Sequence, residues 1–298
     1  MISLETLILI TILSPLLVCL LTPFLSSKPI LRDILGPIGG IISSWGAIQL
    51  MISVLNGDQP RLELLQIAEG ISISFVVTPL GAVFGLVASV LWIFAAIYSV
   101  GYMRGNKEAN QTRFYVFYAM AVHAALCIAY AGDLLTLFIF YEVLTFSTYP
   151  LVTHKQNELA QKAGRLYMSI LVGTSVILLL PAIIWVWVVT GSLEMSQNGV
   201  LDGNINPEYA PYLLAMFVFG IGKAALIPIH KWLPAAMVAP TPVSALLHAV
   251  AVVKAGVFTM LLILTNVFGI EFLSKTGASN WLVWLASFTL LTTSIIAI

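Results

Sequence analysis

Apolar stretches of roughly 20 residues follow one another along this chain, with only short polar runs between them. That pattern restricts the fold to a bundle of membrane-crossing helices, because a lipid-exposed backbone must satisfy its own polar groups. At one crossing per roughly 20 apolar residues, the chain makes about nine spans. These are 4–25, 34–55, 71–100, 114–131, 133–152 and 166–190, then a seventh and eighth sharing 212–268, and a ninth from 280 onward. Pro79 and two glycines predict a kink or tilt in the third span. The connection 56–70 is predicted to be a polar loop, with Asn-Gly and Gln-Pro turn signals. Only Gly132 separates the fourth span from the fifth, so the two are expected to pack as antiparallel neighbours. The first span is too long for a cleaved signal and lacks a small-residue cleavage site, so it is read as a retained helix. The expected fold is all-α and polytopic, with no separate soluble domain.

Composition narrows the function classes. The chain is 60% hydrophobic and 9% charged, where soluble domains carry roughly 25% charged residues. Its 13 basic and 13 acidic residues cancel, so nothing points to nucleic acid. Cys19 and Cys127 lie inside apolar spans, without CxxC or a His/Cys cluster, so neither a disulfide frame nor a metal site is indicated. No GxGxxG after a strand and no haem-type motif occurs, and no cofactor is expected on this chain.

Charge placement says more than charge total. The one-two, three-four and five-six loops hold Lys28, Arg32, Arg104, Lys107, Arg113, Lys155, Lys162 and Arg165. The opposite loops hold only Arg61 and Lys275, beside seven acids that include Glu194, Asp202 and Glu271. By the positive-inside rule the basic loops face the cytoplasm and the N-terminus lies outside a cell (inner) membrane.

Glu142, Lys223 and Lys254 fall near the middle of spans. A charge at that depth costs at least ~2.5–3.5 kcal/mol, so it persists where a partner or internal water receives it. An acid and two lysines so placed read as parts of an ion path. A buried Glu–Lys pair that only fixes helix register is the plainer alternative. Lys223 precedes a segment carrying Pro228, Pro234, Pro240 and Pro242, four prolines in 15 residues. No regular helix contains such a set, and broken helices in membranes recur at transporter ion sites. His230 and Lys231 sit inside the break as accessory candidates. His248 and Lys254 are six residues apart, about 9 Å along a helix and not quite on one face. That separation suits a water-bridged proton relay. A Glu and a Lys on neighbouring helices make a two-state switch, in which moving one proton changes the partner's affinity for another.

The strings Gly132-Asp133-Leu134-Leu135 with Phe140-Tyr141-Glu142, Lys223 with Pro228-Ile229-His230-Lys231-Trp232-Leu233-Pro234, and Ala239-Pro240-Thr241-Pro242-Val243-Ser244-Ala245-Leu246-Leu247-His248-Ala249 with Lys254-Ala255-Gly256 resemble the antiporter-like membrane subunits. These belong to complex I, to membrane-bound hydrogenase-type complexes and to Mrp Na+/H+ antiporters. The resemblance runs from about residue 70 onward. It implies proton-carrying roles for Glu142, Lys223, His248 and Lys254, and an inverted repeat of two five-helix units. Helices four to eight would form the first unit, with the seventh broken. Domains are then expected at 1–113 (three N-terminal helices), 114–268 (the proton-translocating repeat) and 269–298 (the start of a further helix).

The second repeat of such subunits has no counterpart in this sequence, which is expected to be a split or shortened subunit. The resemblance implies a proton or cation/proton translocating subunit of a redox-driven, complex I-like or hydrogenase-type complex. Stand-alone Mrp-type antiport and a structural scaffold are the alternatives. Its partners would be other membrane subunits of a hetero-oligomeric complex, one supplying further intramembrane charges, with protons or Na+ as the moved ion. Any redox centres of the oxidoreductase complex would lie on other chains.

Overall fold

The computed structural model describes residues 2–246 and 251–296. Thirteen helices are named in chain order: α1 (Leu4–Leu21), α2 (Pro29–Leu55), α3 (Pro79–Gly105), α4 (Gln111–Ala129), α5 (Leu134–Val152), α6 (Glu158–Thr174), α7 (Leu180–Thr190), α8 (Ala210–Gly220), α9 (Trp232–Ala235), α10 (Thr241–Ala245), α11 (Val252–Leu262), α12 (Ile270–Thr276) and α13 (Asn280–Ile296). Strands β1 (Arg61–Ala68) and β2 (Ile71–Val76) form an antiparallel hairpin. A π-helical stretch, Ser175–Leu179, joins α6 to α7, and another, Ile263–Phe268, extends α11.

Among the described residues six helices are long and apolar enough to cross a membrane, the last running from Glu158 to Thr190. A seventh candidate is the pair Val252–Phe268 and Ile270–Thr276, bent by 76°. The number falls below nine because the seventh crossing is shattered into short pieces and α13 spans only 17 residues. The chain is a multi-pass membrane protein.

The hairpin corrects one expectation, that 56–70 is a loop, and adds two short strands to a fold that is otherwise helical as expected. It also shortens the third span, which starts at Pro79 and not at residue 71. Pro79 makes no kink. It occupies the first helical turn, where a missing N–H costs nothing, after Thr78 caps the helix by accepting from the Gly81 amide at 3.0 Å.

Two sets of hydrogen bonds gather the connections at opposite ends. At one end Arg32 of α2 reaches Gln111 and Thr112 of α4, Arg104 of α3 meets Asp33, and Arg113 donates to the His154 carbonyl beyond α5. The three basic loops therefore share one end. At the other, β2 is stitched to the α4–α5 connection by Val76 N–H to Tyr130 O (2.7 Å) and Gly132 N–H to Ser74 O (2.9 Å). The loop after α7 joins there through Leu193 N–H to Gly70 O (2.9 Å) and an exposed Arg61–Glu194 ion pair (2.6 Å).

Helices α4 and α5 pack together as expected, and α1 also lies along α4. The core contains most of α4, from Phe114 to Ala129, with Tyr141, Leu144, Tyr167, Phe217 and Trp232. Large apolar residues are exposed along α1, α2, α3 and α13, as lipid-facing surfaces require.

Candidate functional site

The site forms where α5 crosses the interruption after α8. Asp133 fixes the start of α5. Its buried carboxylate caps the helix by accepting from Thr136 N–H (2.7 Å), and it also accepts from the Ser74 amide (2.9 Å) and hydroxyl (2.8 Å). The hairpin is thereby fastened to the same helix that carries Tyr141, Glu142 and Thr145 near its middle.

Helix α8 stops at Gly220, after which Gly222–Ala224 make a single 3₁₀ turn and Ala225 enters the left-handed region at φ 54°. The four prolines follow from there. The Ile227–Pro228 bond is cis, Pro234 lies inside the four-residue α9, and Pro240 and Pro242 bracket the first residue of α10. Each sits where a regular helix is absent or only beginning. Trp232 braces the turn by donating its indole N–H to Gly222 O (3.0 Å). Its ring packs edge-on against Tyr167 at 5.5 Å, and the Tyr167 hydroxyl bonds Thr148 of α5. Helix α11 closes the other side. A Cβ at Gly256 would collide with the backbone of Lys223 and Ala224.

Lys223 stands inside this turn and is fully buried, at 0% exposure. Its ammonium donates to the Tyr141 carbonyl (2.8 Å) and to the Thr145 hydroxyl, and lies 3.2 Å from the centroid of the Tyr141 ring. Its backbone N–H donates to the Tyr141 hydroxyl (3.1 Å). Every one of these groups is neutral. The next residue along α5 is Glu142, whose two carboxylate oxygens are buried and have no hydrogen-bond partner among the described residues. The two charges act on each other electrostatically, yet no Glu142–Lys223 ion pair within 4.0 Å occurs among the described residues. A buried cation and a buried carboxyl thus stand close, each without the other as ligand.

The other expected members are not gathered here. Lys254 lies in the first turn of α11 with its side chain exposed. Gly256 faces the break, and two residues earlier is a rotation of about 200°, so Lys254 points the opposite way. His230 lies in the 3₁₀ turn Ile229–Lys231 with its Nδ1 buried and unbonded, and Lys231 is exposed. His248 lies outside the described residues. Asp133, Tyr141 and Trp232 stand in the motif strings with no role of their own, and Thr145 stands in none of them. The i, i+4 spacing of Tyr141 and Thr145 on either side of Glu142 was the available signal. Among the described residues no three His, Cys, Asp or Glu side chains assemble into a possible metal site.

Comparison with known proteins locates this architecture. Residues 131–298 match the family described as NADH:quinone oxidoreductase/Mrp antiporter, transmembrane, and residues 65–115 match the N-terminus of chain 5 of NADH-ubiquinone oxidoreductase (complex I). A protein designated antiporter subunit mnhA2 of Staphylococcus haemolyticus is 26% identical over 247 residues, covering 82% of this chain and 31% of that protein. The mnhA2 protein of Staphylococcus aureus is 29% identical over 211 residues, 70% of this chain and 25% of its own length. The chain therefore spans about a third or less of these relatives. Among solved structures, a chain of an archaeal membrane-bound sulfane sulfur reductase superposes with a TM-score of 0.71 at 24% identity, covering 86% of this chain and 40% of that one. A chain of the Mrp complex from Dietzia sp. gives a TM-score of 0.74 at 22% identity, covering 87% and 28%.

Proposed function

The chain belongs to the NADH:quinone oxidoreductase/Mrp antiporter transmembrane family, and from that premise we propose that it moves protons, or exchanges a cation for protons, through Glu142 and Lys223. One observation carries the reading: a fully buried lysine at a helix break beside a buried carboxyl with no ligand among the described residues. Burying either charge for packing alone is costly, and an intramembrane ionisable group marks a functional site by default. Each group's charge sets the other's affinity for a proton, so an event that displaces one is transmitted to the other. His248 and Lys254 continue the path, and His230 and Lys231 are accessory groups at the break.

The protein works in a hetero-oligomeric membrane complex, beside a membrane subunit or segment that supplies further intramembrane charge. The exposed Lys254 on α11 is the group that such a partner would meet. The shared basic end, with Arg32, Arg104 and Arg113, faces the cytoplasm, and the hairpin end faces outward. No cofactor is assigned to this chain, and redox centres of any such complex reside on other subunits.

The relatives designated antiporter subunits favour Na+/H+ exchange, while the sulfane sulfur reductase likeness keeps a redox-driven complex as the second reading. Everted vesicles containing the complex separate the two. Added Na+ collapses a proton gradient in the first case, and an electron donor builds one in the second. Wild-type activity in Glu142→Ala or Lys223→Ala vesicles defeats both.

A further inference from the structure

We propose that Lys223 has two seats, and that Tyr141 and Thr145 form the resting one, a clamp that holds the ammonium off Glu142 until the carboxylate claims it. This rests on the reading of Glu142 and Lys223 as the proton-moving pair. What it adds to that switch is a pair of positioning residues, Tyr141 and Thr145.

The clamp grips the lysine at both ends. Tyr141 accepts from the Lys223 backbone N–H with its hydroxyl (3.1 Å) and from the ammonium with its carbonyl (2.8 Å), and its ring lies 3.2 Å from that ammonium. Thr145, one turn on, completes the seat. Its hydroxyl donates to the Tyr141 carbonyl (3.1 Å), which leaves its lone pairs for the ammonium. Carbonyl, hydroxyl and ring face are all neutral acceptors, and a desolvated ammonium over an aromatic face is held firmly. The seat therefore satisfies the lysine without neutralising it.

Glu142 provides the alternative. It follows Tyr141 in the chain and is turned from it by about 100° on the helix, close enough for the two charges to act on each other. Its oxygens have no hydrogen-bond partner among the described residues. A bond to an ionised carboxylate is roughly twice as strong as one to a neutral acceptor. Ionised Glu142 therefore draws the ammonium across, and when Glu142 binds a proton the lysine returns to Tyr141 and Thr145. One O–H bond at Glu142 forms on proton arrival and breaks on release, and the change of seat itself breaks no N–H bond of Lys223.

The clamp is tested by proton flux in vesicles from cells expressing the chain with its native complement of subunits. Thr145→Val keeps the shape and removes the acceptor, and flux should fall about tenfold, as for a lost hydrogen bond to a charge. Thr145→Ser should restore it, which a packing role for the Thr methyl would not allow. Tyr141→Phe should retain most flux, since ring and carbonyl remain, and Tyr141→Leu should lose it. Equal losses for Thr145→Val and Thr145→Ser overturn the clamp, as does wild-type flux in Thr145→Val while Lys223→Ala is inactive. If Tyr141→Leu does not assemble, the Thr145 pair decides. Wild-type flux in Lys223→Ala would instead remove the pair from the path, and the clamp with it.

Discussion

Two buried charge clusters in this molecule are built on opposite terms. At the basic end Asp33 lies between two arginines, bonded to Arg32 at 2.8 Å and Arg104 at 2.6 Å. Arg32 spends its remaining donors on Gln111 and Thr112 (2.9 and 3.1 Å) and stacks over Tyr115 at 5.1 Å. Every charge there has an opposite charge, and the cluster ties α2, α3 and α4 together. In mid-bundle, among the described residues, Lys223 has only neutral ligands and the Glu142 carboxyl has none. Removing one partner of a satisfied buried pair strands the other and costs stability. Neither of these two is held by an opposite charge, so removing one breaks no ion pair and should spare the fold and strike function. The contrast separates charges that hold the bundle from charges that work within it.

Substitutions on the two sides should therefore part company. Glu142→Gln should reduce proton flux by about 100- to 10,000-fold, the range for loss of a proton-transferring group, while thermal unfolding in detergent stays unchanged. Asp33→Asn should do the reverse. It leaves Arg32 buried and unpaired, and unfolding should report about 3–5 kcal/mol of lost stability. Flux per assembled complex should persist. If the two variants exchanged phenotypes, the distinction would collapse.

Gly256→Ala sharpens the comparison at the break. Its methyl would press on the Lys223 and Ala224 backbone, and overpacking of this kind costs about 1–3 kcal/mol. Stability and flux should fall together there, because the same turn holds both the packing and the lysine.

His154 supplies a pH test outside the spans. Burial, aided by Arg113, holds its imidazole below the ordinary 6.5, so the folded state favours the neutral ring. The sign follows: the unfolded chain binds the proton more readily, and stability declines as pH falls through that value. Unfolding temperatures on either side of pH 6.5 should show the decline, and His154→Gln should flatten it. The smallest effect belongs to Arg61–Glu194, with both side chains about half exposed. Arg61→Ala should cost no more than about 0.2–1 kcal/mol, less in high salt.

Much of this was legible in the chain. Spans of apolar residues and the prolines at 228, 234, 240 and 242 announce a bundle with one broken crossing. Glu142 and Lys223 stand out because a charge in lipid must be explained. The hairpin was hidden for a physical reason. β2 alternates Ile and Ser over only a few residues and runs almost directly into α3, so its six residues merge with the span, and Thr78 followed by Pro79 marks the join. Nearly all of β1 is exposed, so it lacks the alternation that reveals a half-buried strand. The clamp was hidden because its principal acceptor is a backbone carbonyl, which every residue possesses. The exposed position of Lys254 was equally unreadable, since only the Gly256 contact fixes which face of α11 meets the break.

The central claim is that Lys223 moves protons and does not merely pack. Its most direct test is proton flux in vesicles carrying Lys223→Ala, normalised to the amount of assembled complex and set beside Arg32→Ala. The account predicts that Lys223→Ala assembles and transports nothing measurable, while Arg32→Ala assembles poorly but transports in proportion to what forms. Wild-type flux per complex from Lys223→Ala would contradict it.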